Sequence, residues 1–397
     1  MIQLKQILYI IAFACVGLIG FKTYNYFFDT SMPHIVMRGL EEGNFYAGDL
    51  PCTVASTKSG TISIWLDDQP LVNQYSLGTS EQGHPFTIPT KTLTNGKHTL
   101  RAQFCDGTYC KNKVEIVRDF YVDNMPLQAA FVKPDAEYKV LQGRTLHVQF
   151  QVNKEIKDAK ITTLSNTYCC LPETKNSSVY EAYIPVPCEE TPNEYLFSID
   201  VTDKVGNSLR LDNKFQVVMF PFPKQNLTVS SEKIEEEHEV GKDNKLFEER
   251  IEELTKNSPF EKLWRGEFCT PIEVQRVSCD FGTVRTTQHK GRYAHKALDV
   301  INAPRSVVWA TQDGIVVMKD RFAASGNTVV IDHGMGVLSL FFHLDDFAKV
   351  EVGDKIAKGN PIGTIGKTGY ATGYHLHWEM RVNNIQVDPM QWTRPVF

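Results

Sequence analysis

Between about Pro33 and Phe220 apolar and polar residues alternate in short runs, at 61–68, 97–104, 115–123, 146–152, 180–186, 195–203 and 214–220, with Gly, Asn, Asp and Pro gathered between them. Successive side chains of a strand point to opposite faces. A period of two therefore predicts strands with one buried and one wetted face, and short strands at such intervals predict sandwiches. Residues 221–241 carry prolines and then acidic residues with few apolar ones, the composition of a linker. From Asp243 to Lys256, Leu246, Phe247, Ile251 and Leu254 recur on one side of a helix that Asn257 to Pro259 ends. The last stretch returns to strand periodicity. After Gly369 and Gly373, Leu376, Trp378, Met380 and Val382 alternate with His375, His377, Glu379 and Arg381, which predicts a half-buried strand with a polar face.

The N-terminus departs from both patterns. Ile7 to Phe21 is an uncharged, largely apolar run bracketed by Lys5 and Lys22. It is shorter than the roughly 20 residues that span a bilayer, but Tyr and Phe between Thr23 and Phe28 suit a membrane interface. A secretory signal or a signal anchor fits. Cleavage after Ala12-Phe13-Ala14 would leave an apolar core of only about seven residues, so an uncleaved transmembrane anchor over residues 1–28 fits better. That places the rest of the chain in the cell envelope, anchored to the inner (cytoplasmic) membrane with its soluble part in the periplasm or extracytoplasmic space.

A chain of 397 residues is long enough for several cores. Residues 93–123 and 191–218 each run strand, Asp-and-Gly turn, strand, which divides the β-rich region into tandem modules at 32–124 and 125–220. These resemble the immunoglobulin-like modules of bacterial surface proteins. An acidic linker and helix over 221–262 and a C-terminal domain over 263–397 complete a mainly β chain. The formal net charge of −5 supplies no basic field for a polyanion, and no nucleic-acid-binding pattern occurs. Nothing in the sequence specifies an oligomeric state.

Cys52, Cys105, Cys110, Cys169, Cys170, Cys188, Cys269 and Cys279 follow the apolar run. An even number beyond an export signal predicts disulfides, with the short loops Cys105 to Cys110 and Cys269 to Cys279 as favoured pairs. The absence of a Cys-x-x-Cys spacing argues against a cysteine-ligated zinc.

Candidate chemistry lies in the last 130 or so residues. On one strand His375 and His377 would project to the same side, roughly 6.5 Å apart. His295 and Asp299 are four apart, but Val300, Ile301 and Pro304 favour a strand, along which four residues cover about 13 Å, too far for both to reach one ion. His295 is therefore expected on a loop that curls back to the strand of Asp299. His343 ends an apolar run where a lone imidazole is unusual, whereas His289 and His333 read as surface and structural residues.

In order, 278–285, 295–299, 307–317, 326–344, 350–380 and 387–392 resemble the lysostaphin-like (LytM-type) zinc endopeptidases of bacterial cell walls, over about Trp264 to Trp392. The resemblance implies an antiparallel β-sheet peptidase domain with one zinc per chain, held by His295, Asp299 and His377. It implies His343 and His375 as the catalytic pair, with Trp378, Asn327 and the glycine turns in the groove and scaffold. Three protein ligands leave a fourth position for water, the arrangement of a catalytic zinc. Ala297 stands where that family usually has glycine. The function implied is hydrolysis of peptide bonds in peptidoglycan cross-links or stem peptides. The alternative is a wall-binding regulator with little or no turnover that activates another hydrolase.

Overall fold

The computed structural model describes residues 4–80, 82–133 and 137–394. The chain forms two compact units, Met1–Pro126 with Lys204–Asn207, and Leu127–Asp203 with Ser208–Phe397.

The first unit begins with helix α1 (Leu4–Phe28), of which Gln6–Phe28 is long and apolar enough to cross a membrane, a property that signal sequences share. Two sheets follow. One orders Ile35–Arg38, Leu50–Ser56 and His84–Ile88; the other orders Phe45–Tyr46, Lys113–Val122, Gly96–Asp106, Gly60–Leu66 and Gln69–Leu77. Alternation fixes which side faces inward. Along Gly96–Asp106 every second residue from His98 is buried, and Leu100, Ala102 and Phe104 join Val54, Ile62, Ile64 and Phe120 in one core.

The second unit opens with another pair of sheets. Leu171–Pro172, Val179–Pro185, Thr145–Val152 and Ala129–Phe131 form one, and Tyr138–Leu141, Ser208–Val218, Glu194–Asp203, Ile156–Thr163 and Asn166–Cys169 the other. Val148, Phe150, Ile161, Phe197, Ile199 and Phe215 fill the space between them. In the acidic segment that follows, Lys224–Leu227 pairs in parallel with Thr283–Thr287, and two helices form, α2 (Ser231–Val240) and α3 (Asn244–Lys256). Phe247 and Ile251 of α3 are buried and Leu254 packs beside them, while Leu246, expected on the same side, is 57% exposed.

Among the described residues the C-terminal region builds a ten-stranded antiparallel sheet. Arg276–Cys279, Leu298–Ile301, Leu376–Val382, Val337–Phe347, Gly326–Asp332 and Gly314–Phe322 run side by side through it. Val300, Val329, Ile331, Phe341, Leu376 and Trp378 pack as its core. The second sandwich rests on this domain. Tyr183 meets Trp264 and Trp392 with ring centroids 5.6 and 5.5 Å apart. Thr145 and Gln391 exchange hydrogen bonds of 2.7 and 2.8 Å.

The expected disulfides do not form: all nine cysteines are free. Cys105 Sγ lies near the Asp106 and Lys111 carbonyls while Cys110 points to the Phe27 carbonyl. Cys269 is directed at Ala310 O, and Cys279 faces Arg285 and Asp299 instead of its expected partner.

Candidate metal centre

Asp299 is the hub of the site because strand pairing sets it between two neighbours. On Leu298–Ile301 it lies opposite His377 of Leu376–Val382 on one side and Cys279 of Arg276–Cys279 on the other. Its carboxylate Oδ1 is 2.9 Å from His377 Nδ1, and Oδ2 is 3.1 Å from His295 Nε2. His295 is not on a loop: it closes the strand Gly291–His295, and Lys296 and Ala297 bend the chain before the next strand begins. That bend brings the four-residue pair together where a straight strand cannot. Ala297 is fully buried without a positive φ, so its methyl is accommodated in this bend.

His343 reaches the site by a different device. It lies inside Val337–Phe347, not at its end. Between the pairs Phe341 with Val329 and Leu344 with Asn327, two residues oppose the single Thr328. This bulge turns His343 to a φ of +62°, a conformation costly for a residue with a side chain and one often found where a strand re-aims a functional group. The ring is fixed by 2.8 Å to the Thr368 carbonyl, which can only accept, so Nδ1 carries the proton and Nε2 keeps its lone pair. His375 directly precedes the strand Leu376–Val382, and its Nδ1 donates likewise to Gly373 O at 2.9 Å. Its Nε2 stands 3.9 Å from Asp299, and its ring centroid is 4.9 Å from that of His343.

The five residues line one cleft of about 570 Å³, with Phe247 and Glu248 of α3 on a wall. Burial pushes the His343 imidazole down to about 3, helped by the neighbouring His377 and His375, so the ring is neutral near pH 7. Burial opposes charge on His377 too, but hydrogen bonds to Asp299 and Glu379 outweigh it and lift its pKa to about 9. Asp299, also disfavoured by burial, is driven far below the carboxylate range by the two imidazoles.

The donor set suits zinc. His295 Nε2 is buried and, despite its distance to Asp299, makes no aligned hydrogen bond among the described residues. An orphaned ring nitrogen costs free energy unless something accepts its lone pair or proton, and it sits beside a carboxylate and a second imidazole. Cys279 Sγ, His295 and Asp299 bring donor atoms within 4.8 Å of one another, so the cysteine that spacing set aside is part of this cluster. Two imidazoles with a carboxylate, and a thiol at hand, favour zinc over the oxygen-seeking magnesium or calcium.

The sequence reading missed three more residues around the cleft. Arg285 donates to Cys279 Sγ at 3.0 Å and lies 3.7 Å from Asp299. Glu379 and Arg381, expected on a wetted face, are buried, because α3 covers that face. Their alternation with His375 and His377 already put them on the histidines' side. His289 and His333 stay outside the site. The first pairs with Glu237 at 2.7 Å, and the second is wholly buried between Asp313 O and Ser339.

Residues 293–389 match peptidase family M23, so the C-terminal region is an M23 domain. The DD-carboxypeptidase/endopeptidase Mpg of Neisseria meningitidis serogroup B is 35% identical over 126 residues, 32% of this chain and 29% of that protein. The peptidoglycan DD-endopeptidase ShyC of Vibrio cholerae is 34% identical over 121 residues, 30% of this chain and 28% of that protein. The chain thus aligns with less than a third of the length of these relatives. A solved M23 peptidase from Pseudomonas aeruginosa is similar at 21% identity with a TM-score of 0.47, covering 65% of this chain and 95% of that one.

Proposed function

We propose that this protein is a zinc-dependent endopeptidase that hydrolyses peptide bonds in peptidoglycan cross-links or stem peptides. His295, Asp299 and His377 hold one zinc, and His343 and His375 handle the protons. The observation that carries this is the convergence of Asp299 on two imidazoles, one with an orphaned buried nitrogen, in the cleft that also holds two Nδ1-protonated histidines. The M23 match and the two wall-peptidase relatives supply the substrate class.

Zinc bound there supplies a water acidified toward neutral pH and a Lewis acid for the scissile carbonyl. His343 and His375 each keep a lone pair on Nε2; the ring that takes up the attacking water's proton there becomes the imidazolium that then donates it to the leaving amine, so the pair returns to its starting state. The carbonyls of Thr368 and Gly373 keep both rings in the tautomer this requires. We take the two sandwiches as immunoglobulin-like modules and α1 as a membrane anchor, which puts the cleft outside the cytoplasm where peptidoglycan lies.

The test is muropeptide mass analysis after the full chain has acted on purified sacculi. Cross-linked species should fall and free stem-peptide amines rise, with activity removed by chelation and restored by zinc. Unchanged muropeptides with a zinc-loaded chain would favour a binding or regulatory role.

A further inference from the structure

Helix α3 precedes the residues that match family M23, yet one turn of it reaches His377 by two routes. The polar route starts at Glu248, whose carboxylate receives Arg381 Nη1 at 2.6 Å and Nη2 at 3.0 Å, a bidentate pair. Arg381, only 1% exposed, also donates Nε to Glu379 at 2.9 Å. Glu379 Oε1 in turn accepts from His377 Nε2 at 3.4 Å, on the ring edge away from Asp299. The apolar route starts at Phe247, the residue before. Its ring meets Phe342 edge-on at 5.5 Å, and Phe342 lies flat on the His377 imidazole at 5.0 Å and 8°.

A metal-binding imidazole needs its remote nitrogen tied down, because that bond sets the tautomer and the ring plane and raises ligand basicity. We infer that Glu379 is the positioning residue for His377, and that α3 extends the metal centre beyond the M23 segment by holding Arg381, and through it Glu379, in place. Arg381, buried between them, offsets the repulsion between two like charges, the buried Glu379 and the half-exposed Glu248. The stacked Phe342 restricts rotation of the same ring, so one helical turn fixes both the plane and the hydrogen-bonded edge of His377. This rests on the proposal that His377 binds zinc.

The experiment measures zinc dissociation constants by chelator competition for the full chain and its His377→Ala, Glu379→Gln, Glu248→Gln and Glu248→Gln/Glu379→Gln variants, with metal-free melting temperatures alongside. Glu379→Gln should weaken zinc binding by roughly 10–100-fold. Glu248→Gln, which alters a half-exposed carboxylate and leaves the fold intact, should weaken it less but in the same direction. The double variant should match Glu379→Gln alone, since both act along one path. Unchanged zinc affinity in Glu248→Gln or in a folded Glu379→Gln, with only melting altered, would overturn the inference. Additive losses would overturn it for α3. Normal zinc binding by His377→Ala would instead sink the ligand assignment on which it rests.

Discussion

At the scale of single residues, the proposed assignment separates groups that would hold metal from groups that would move protons. His343 and His375 are tied to carbonyls through Nδ1 and touch no other histidine's hydrogen bond, so their removal leaves the Asp299 cluster standing. His343→Ala and His375→Ala should each keep zinc while turnover falls by roughly 10²–10⁴-fold, as for lost acid–base groups. Metal analysis and peptide kinetics on the same samples check both halves. That His295, Asp299, His343, His375 and His377 would meet at one cleft was legible from motif order, and the pairing of His375 with His377 from period two alone. Arg285 and Cys279 were not, because a contact between neighbouring strands at 279 and 299 has no signature in sequence separation. The backbone φ of His343 was equally hidden: a bulge is a register event between two strands, invisible in either one.

At the scale of elements, two loops hold His343 in its strained position. Gly369, at φ +71°, approaches so closely that a Cβ there would lie 2.3 Å from Gly326 N and 2.6 Å from Ala324 O. Its neighbour Thr368 supplies the carbonyl for His343 and a hydroxyl that accepts from Asn327 N at 2.9 Å. Gly369→Ala should force the 324–326 turn away from this loop and add about 1–2 kcal/mol of left-handed backbone strain. The expected result is a loss of turnover out of proportion to the fall in melting temperature, with zinc content unchanged. Strand alternation predicted the sheets well, since a period of two survives whatever the strands later pair with. It misjudged the strand Leu376–Val382, which is buried on both faces, because the element covering its polar side, α3, comes from more than a hundred residues earlier.

At the scale of the whole molecule, the second sandwich is joined to the M23-bearing region by a buried charge cluster. Glu181, 1% exposed, accepts from Lys262 at 2.7 Å and pairs with His147 at 2.9 Å. Burial alone would raise the Glu181 pKa, but the bonds to His147 and Lys262 and the Lys262 charge leave it below its ordinary 4.5. Folding depresses this pKa, so its stabilising contribution is complete above pH 4.5 and is lost as pH falls through the lower folded value. Melting temperature should therefore drop more steeply with acid below about pH 4.5 in the natural chain than in Glu181→Gln. Parallel acid profiles would mean that the cluster contributes nothing to folding. Composition gave no hint of this contact, since a charged residue on a strand reads as solvated until its partner is known. What unites these scales is the proposal that His295, Asp299 and His377 jointly hold one metal ion. The most direct test is the zinc content of the purified full chain beside that of Asp299→Ala. The account predicts about one zinc per chain in the first and essentially none in the second, because three protein ligands leave no spare; stoichiometric zinc in a folded Asp299→Ala protein would contradict it.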